Sequence, residues 1–229
     1  MTLHTHIQSL TRSAIAARIA CDIEEGWCVN LGIGIPTLVA NVLPQDREIV
    51  LHSENGILGM GPAPAQDSID PWLVNAGKEF VTLLDGGAFI SQSDSFVVVR
   101  GGHLDLCVLG AFEVAANGDI ANWTTSLASS APAVGGAMDL AAGARRIWVA
   151  MEHLTRKGTS RLARACSMPI TAAGVVSRIY TSHALLEPRG DRFQVIESLP
   201  GLSCEALQAI TDAPLVFGEA WRGATYGDK

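Results

Sequence analysis

The sequence predicts an α/β fold, an open and largely parallel sheet buried by flanking helices, with a hairpin near the C-terminus. Three observations lead there. Short apolar runs recur along the whole 229-residue chain. Many lack the polar–apolar alternation of a half-exposed strand, so the sheet is expected to be covered on both faces. Helix-period or glycine-punctuated segments separate them, as crossover connections require. No composition shift, linker or repeat divides the chain, so one domain over residues 1–229 is expected, with a core of about 11–215 and flexible tails at 1–10 and 216–229.

Residues 11–25 place Ile15, Ile19 and Ile23 four apart with Gly26 behind them, an amphipathic helix closed by glycine. Trp27–Leu31 reads as a strand, Gly32-Ile33-Gly34 as a tight turn, and Pro36 as the first position of a helix over Thr37–Leu43. Further strands are expected at Glu48–His52, Phe80–Leu84, Phe96–Val99, Leu104–Leu109, Ile147–Met151 and Val175–Tyr180. Asn122–Gly143, rich in Ala, Gly and Ser, suits a functional loop better than a core strand. Ala184–Glu187 and Phe193–Ile196 form a hairpin around Pro188-Arg189-Gly190-Asp191, and Ser203 caps a short helix to Ile210.

Charged residues make up 17% of the chain, against roughly 25% in an average soluble domain, so a partner subunit is expected to cover part of the surface. A net charge of −7 without any basic cluster argues against nucleic acid or an anionic membrane as partner. No apolar run approaches the ~20 residues that span a bilayer, and MTLHTHIQSL lacks a leader pattern, so a cytoplasmic protein is expected. The five cysteines and six histidines never fall at ligand spacing; they read as core thiols and structural imidazoles, with no metal site.

The sharpest local signal is Leu51-His52-Ser53-Glu54-Asn55-Gly56-Ile57-Leu58-Gly59-Met60-Gly61-Pro62, in which an apolar strand delivers a carboxylate to its carboxyl end and breaks into a glycine-dense turn. Glu54 there is either a nucleophile or general base with backbone amides close by, or a solvated side chain beside an Asn-Gly turn. Three more glycine clusters, Asn30-Leu31-Gly32-Ile33-Gly34, Gly101-Gly102-His103 and Val134-Gly135-Gly136-Ala137, serve as turns or as a ligand cradle. The first is no dinucleotide fingerprint, because Thr37 replaces the third glycine. Lys78 either meets an anionic ligand or pairs with Glu79; His52 and His103 either tune a carboxylate or are structural. His153, Lys157 and Arg161 read as a solvated helix face.

Ser53-Glu54-Asn55-Gly56 resembles the SENG signature of the class I CoA-transferases, of the B-chain type acting on 3-oxo acids. Blocks in the same order accompany it: NLGIGIPTLVA (30–40), NAGK (75–78), DGGAF (85–89), DSF (94–96), RGGHLD (100–105), DIANW (119–123), PAVGGAMD (132–139), HLT (153–155) and SRIYT (177–181). GGAF followed by DSF, and HSENGILGMGP, look closest to members acting on 3-oxoadipate, with the acetoacetate members nearest to them. The resemblance implies CoA transfer from succinyl-CoA to a 3-oxo acid through a glutamyl-CoA thioester on Glu54, with CoA thioesters as substrates and no permanently bound cofactor. It implies that Lys78 faces an anionic part of CoA, that Gly135 and Gly136 lie along the pantetheine arm, that Asn30 with Gly32 and Gly34 floors the pocket, and that Asn122 belongs to its wall. It also implies an A subunit, in an A2B2 assembly with the active site between the two kinds of chain. An acyl-CoA hydrolase on the same scaffold and a non-catalytic CoA-binding regulatory module are the alternatives.

Overall fold

A computed structural model describes residues 9–44, 46–125, 133–218 and 221. Helix α1 (Arg12–Asp22) starts where the Thr11 hydroxyl accepts the amide of Ala14 at 3.2 Å, and it buries Ile15 and Ile19 from successive turns. The chain then forms β1 (Cys28–Leu31), a 3₁₀ turn over Pro36–Asn41, and a meander of β2 (Val50–Ser53), β3 (Ile57–Met60) and β4 (Leu83–Phe89). Helix α2 (Gln92–Arg100) leads to β5 (Leu106–Leu109). A three-stranded side sheet follows, of β6 (Glu113–Ala115), β7 (Ile120–Ala121) and, further on, β9 (Leu162–Ala163); between β7 and β9 lie α3 (Ala137–Gly143) and β8 (Ile147–Met151). The last described elements are β10 (Val176–Thr181), β11 (Ala184–Pro188), β12 (Phe193–Ser198), α4 (Cys204–Ala209) and β13 (Leu215–Phe217).

Among the described residues the main sheet has ten strands, in the order β13-β12-β11-β10-β8-β5-β1-β2-β3-β4. Its centre, β10-β8-β5-β1-β2, is parallel throughout; antiparallel pairs extend it on either side, and β13 joins β12 in parallel at one edge. Strands β5 and β8 are buried at every residue, which accounts for their missing alternation. The chain leaves β1 toward β2 on one side and returns to β5 on the other, so the connections at the carboxyl ends of β1 and β5 diverge and leave a crevice.

Several expectations are corrected. Phe96–Val99 is helical: Ser91 caps the segment by accepting the amide of Asp94 at 3.0 Å, Gly101 ends it, and Ser95 and Val99, four apart, form its buried side. Thr37–Leu43 is only the short 3₁₀ turn. His153 to Arg161 is not helical, because Gly158 takes a left-handed φ of +80° in the turn that closes a Leu154–Ser160 bridge. Part of Asn122–Gly143 is α3, and residues 126–132 lie outside the described residues. Most of the expected tails also lie outside them, but the Leu10 amide bonds the Ser182 carbonyl at 2.8 Å, and Val216 and Phe217 belong to β13.

Candidate active site

Strand β2 carries Glu54 to the carboxyl edge of the sheet, and each neighbour in the Ser-Glu-Asn-Gly turn has a separate fastening. The Ser53 hydroxyl accepts the Ala76 amide at 3.0 Å, and the Asn55 amide group donates to the Val74 carbonyl at 2.8 Å, so both tie the 74–80 hairpin to the turn. Gly56 has φ +106°, and a Cβ there would overlap the Ile90 carbonyl, which leaves only glycine room. The Glu54 carboxylate accepts no hydrogen bond and forms no ion pair among the described residues. Burial, and next the negative Asp139, push its carboxyl above the usual range; Asp139 is itself held by Arg100 at 2.8 Å.

Beneath it, the register sets Cys107, Asn30 and His52 side by side on β5, β1 and β2. The Asn30 amide nitrogen donates to the His52 carbonyl at 3.1 Å and lies 3.0 Å from His52 Nδ1; its oxygen accepts from the Cys107 thiol at 3.6 Å. With that nitrogen as donor, Nδ1 is the acceptor, and Nε2–H donates to the Ser95 hydroxyl at 2.8 Å. Burial holds His52 down to about 4, so this imidazole is a neutral strap between sheet and α2. Burial, and next Glu54, raise the Cys107 thiol.

A cavity of about 480 Å³ opens at this edge, within the range of small-molecule sites. Of the residues singled out from sequence, Glu54, Asn30, Gly32, Asn122, Gly135 and Gly136 line it. Gly136 is packed so closely that an added Cβ would stand 2.6 Å from Glu54 Oε2. Asn122 is a brace, donating to the Gly110 carbonyl at 3.2 Å and accepting from the Thr171 hydroxyl at 2.6 Å. Gly34 and Lys78 are not on the wall. Gly34 shapes the β1 turn with φ +97°, and Lys78 is exposed next to the wall residues Ala76 and Gly77, without an ion pair to Glu79. His103 and the Gly101-Gly102 pair end α2 away from the cavity. Sequence reasoning missed Ile33, Phe112 and Arg161 on the wall. The Gly158 turn was the available sign that Arg161 does not sit on a helix. Among the described residues no cluster of His, Cys, Asp and Glu is arranged to hold a metal ion, and no helix is long and apolar enough to cross a membrane.

Residues 12–209 match the family model described as coenzyme A transferase. The chain belongs to this family. It is 53% identical over 212 residues to the B subunit of 3-oxoadipate CoA-transferase from Pseudomonas putida, covering 93% of this chain and 99% of that one. The B subunit of succinyl-CoA:3-ketoacid coenzyme A transferase from Helicobacter pylori is 44% identical over 202 residues, covering 88% and 97%. The fold also matches the acyl-CoA transferase YdiF of Escherichia coli O157:H7, solved as a thioester complex with CoA (TM-score 0.67, 20% identity, 96% of this chain and 43% of that one). Glutaconate coenzyme A-transferase from Acidaminococcus fermentans matches at TM-score 0.64 and 16% identity, over 92% and 90%. The chain is therefore the B-type component of an enzyme of the 3-oxoacid CoA-transferase kind, and the names of its relatives imply an A-type partner.

Proposed function

We propose that this transferase moves CoA from succinyl-CoA to a 3-oxo acid, with 3-oxoadipate as acceptor, and that Glu54 is its nucleophile. A carboxylate oxygen of Glu54 attacks the thioester carbonyl, the C–S bond breaks, and CoA thiolate leaves an acyl-glutamyl anhydride. The thiolate attacks the glutamyl carbonyl, succinate departs, and Glu54 holds CoA as a thioester. The acceptor carboxylate displaces the thiolate, giving a second anhydride, and thiolate attack on its 3-oxoacyl carbonyl restores Glu54. Each step exchanges one acyl bond for another, so no electrons change hands.

One observation carries this reading: a half-buried carboxylate with no hydrogen-bond or ion-pair partner among the described residues, at a strand's carboxyl end on a cavity wall. Such an oxygen has shed part of its hydration and is free to attack. Gly135 and Gly136 suit the approach of a narrow pantetheine arm, Asn30 and Gly32 its floor, Asn122 its wall, and exposed Lys78 at the rim an anionic part of CoA. Ile33 on the wall and Met138, just after wall residue Ala137, are 71% and 52% exposed, an apolar rim suited to an A-type partner in an A2B2 assembly. Five unpaired cysteines suit a reducing, cytoplasmic setting.

The test is CoA exchange by the complex of this chain with its A-type partner, using succinyl-CoA with 3-oxoadipate and with acetoacetate. Exchange is expected with 3-oxoadipate preferred, and Glu54→Gln is expected to lower it by about 10⁴-fold or more. Because burying the ionised carboxyl is costly, that variant should melt no lower than the unsubstituted chain. Substantial exchange by Glu54→Gln refutes the nucleophile, and preference for acetoacetate refutes the acceptor.

A further inference from the structure

We infer that Arg161 is the selectivity cation of this cavity, gripping the remote carboxylate of a dicarboxylic acyl group, in the succinyl donor and the acceptor acid alike; the inference rests on the transferase reading above. Its backbone is pinned on both sides just before β9: its amide donates to the His153 carbonyl at 3.0 Å, and its carbonyl accepts from the Val114 amide at 2.9 Å. That path, joining the end of β8 to the side sheet, brings the side chain to the wall of the cavity that holds Glu54.

The guanidinium is poorly satisfied where it rests. Nη1 donates to the Ala111 carbonyl at 2.9 Å, Nε is buried with no acceptor among the described residues, and no ion pair with a described residue neutralises the charge. Burial accordingly lowers its pKa, against a smaller opposing pull from Glu152. A buried donor without a partner and a charge without a counter-ion are both costly, so an arriving anion that supplies both is strongly favoured. Nε shares with Nη2 the edge of the guanidinium that binds a carboxylate through two parallel hydrogen bonds.

Arg161 does not spend itself on the nucleophile: among the charged groups it is Asp139, not Arg161, that perturbs Glu54, and Glu152 and Arg12 that act on Arg161. The cavity thus presents a reactive carboxylate and a separate cation, matching an acyl group with a thioester carbonyl at one end and a carboxylate at the other. The remaining candidates are committed elsewhere. Arg100 pairs with Asp139 at 2.8 Å; Arg178 bonds Asp22 and Glu187 at 3.3 and 3.4 Å and lines a different groove; Lys78 is off the wall. Arg161 is the one basic residue among the described cavity-lining residues.

The test compares exchange by the A/B complex carrying Arg161→Gln or Arg161→Lys, using dicarboxylic (succinyl-CoA, 3-oxoadipate) and monocarboxylic (butyryl-CoA, acetoacetate) pairs. Loss of a charge-assisted bidentate contact predicts a fall of about 10- to 100-fold in kcat/KM for the dicarboxylic pair, little change for the monocarboxylic pair, and partial recovery with lysine. In the unsubstituted complex, succinate should compete at least ~10-fold better than butyrate of equal chain length. An equal fall for both pairs, as expected if Arg161 held the CoA phosphates or only the fold, overturns the assignment, and so does equal inhibition by succinate and butyrate. Absence of any exchange in the unsubstituted complex overturns the transferase reading and the assignment together.

Discussion

Replacing Gly136 by alanine should separate stability from catalysis. Gly136 has φ −70° and ψ −13°, helical values that alanine adopts without strain, so the whole effect lies in where the new methyl goes. It would stand 2.6 Å from Glu54 Oε2 and 2.9 Å from Phe96 Cζ, where ordinary contact begins near 3.4 Å, so the carboxylate must retreat by about 0.8 Å. A side-chain end moves that far cheaply, and alanine is a poorer N-cap than glycine; together they should cost about 1 kcal/mol, a shift of about 2–4 °C in Tm. Catalysis is less forgiving, because a misplacement near 1 Å costs about 10²-fold in rate. The assay is kcat/KM for succinyl-CoA in the A/B complex beside the melting curve. A rate within threefold of the unsubstituted complex would refute the packing of Gly136 on Glu54 as proposed nucleophile, and unfolding in step with lost activity would refute the separation.

Gly56→Ala should behave oppositely. Its left-handed φ and the overlap with the Ile90 carbonyl, a backbone atom, predict a loss of roughly 3 kcal/mol or more, read as a lower denaturation midpoint with or without substrate. As the proposed nucleophile Glu54 must be ionised to attack, so exchange should fall as pH drops through its raised pKa; Asp139→Asn removes a raising charge and should move that acid limb to lower pH, and an unmoved limb contradicts the coupling. Burial holds His52 to about 4 and, with nearby His183, His153 to about 3, both below the unfolded value near 6.5. Their stabilisation is complete above pH 6.5 and is lost as pH falls toward those values, by about 2 kcal/mol each at pH 5. Melting temperatures from pH 7.5 to 5 check this, and a flat curve contradicts it.

Much of the centre was legible because local and tertiary preferences agree there. The β5 and β8 runs are short, apolar and buried at every residue, and the Ser-Glu-Asn-Gly turn announces itself by a carboxylate at a strand end followed by glycines. Phe96–Val99 misled because three consecutive valines favour a strand, whereas the Ser91 cap and the Gly101 stop, with Ser95 buried under His52, impose a helix. Lys78 lies in a recognisable motif, yet the hairpin turns its side chain to solvent and brings Ala76 and Gly77 to the wall instead. The Gly158 turn hints that Arg161 does not sit on a helix, but its place on the cavity wall depends on pairing with Val114, far away in sequence, which no local period encodes.

The most direct measurement is the mass of this chain after the A/B complex meets succinyl-CoA without an acceptor. A CoA-sized increment on the peptide containing Glu54, removed by adding 3-oxoadipate and missing in Glu54→Gln, is the expected result. An unmodified Glu54 peptide during active exchange, or an increment that survives in Glu54→Gln, would contradict the account.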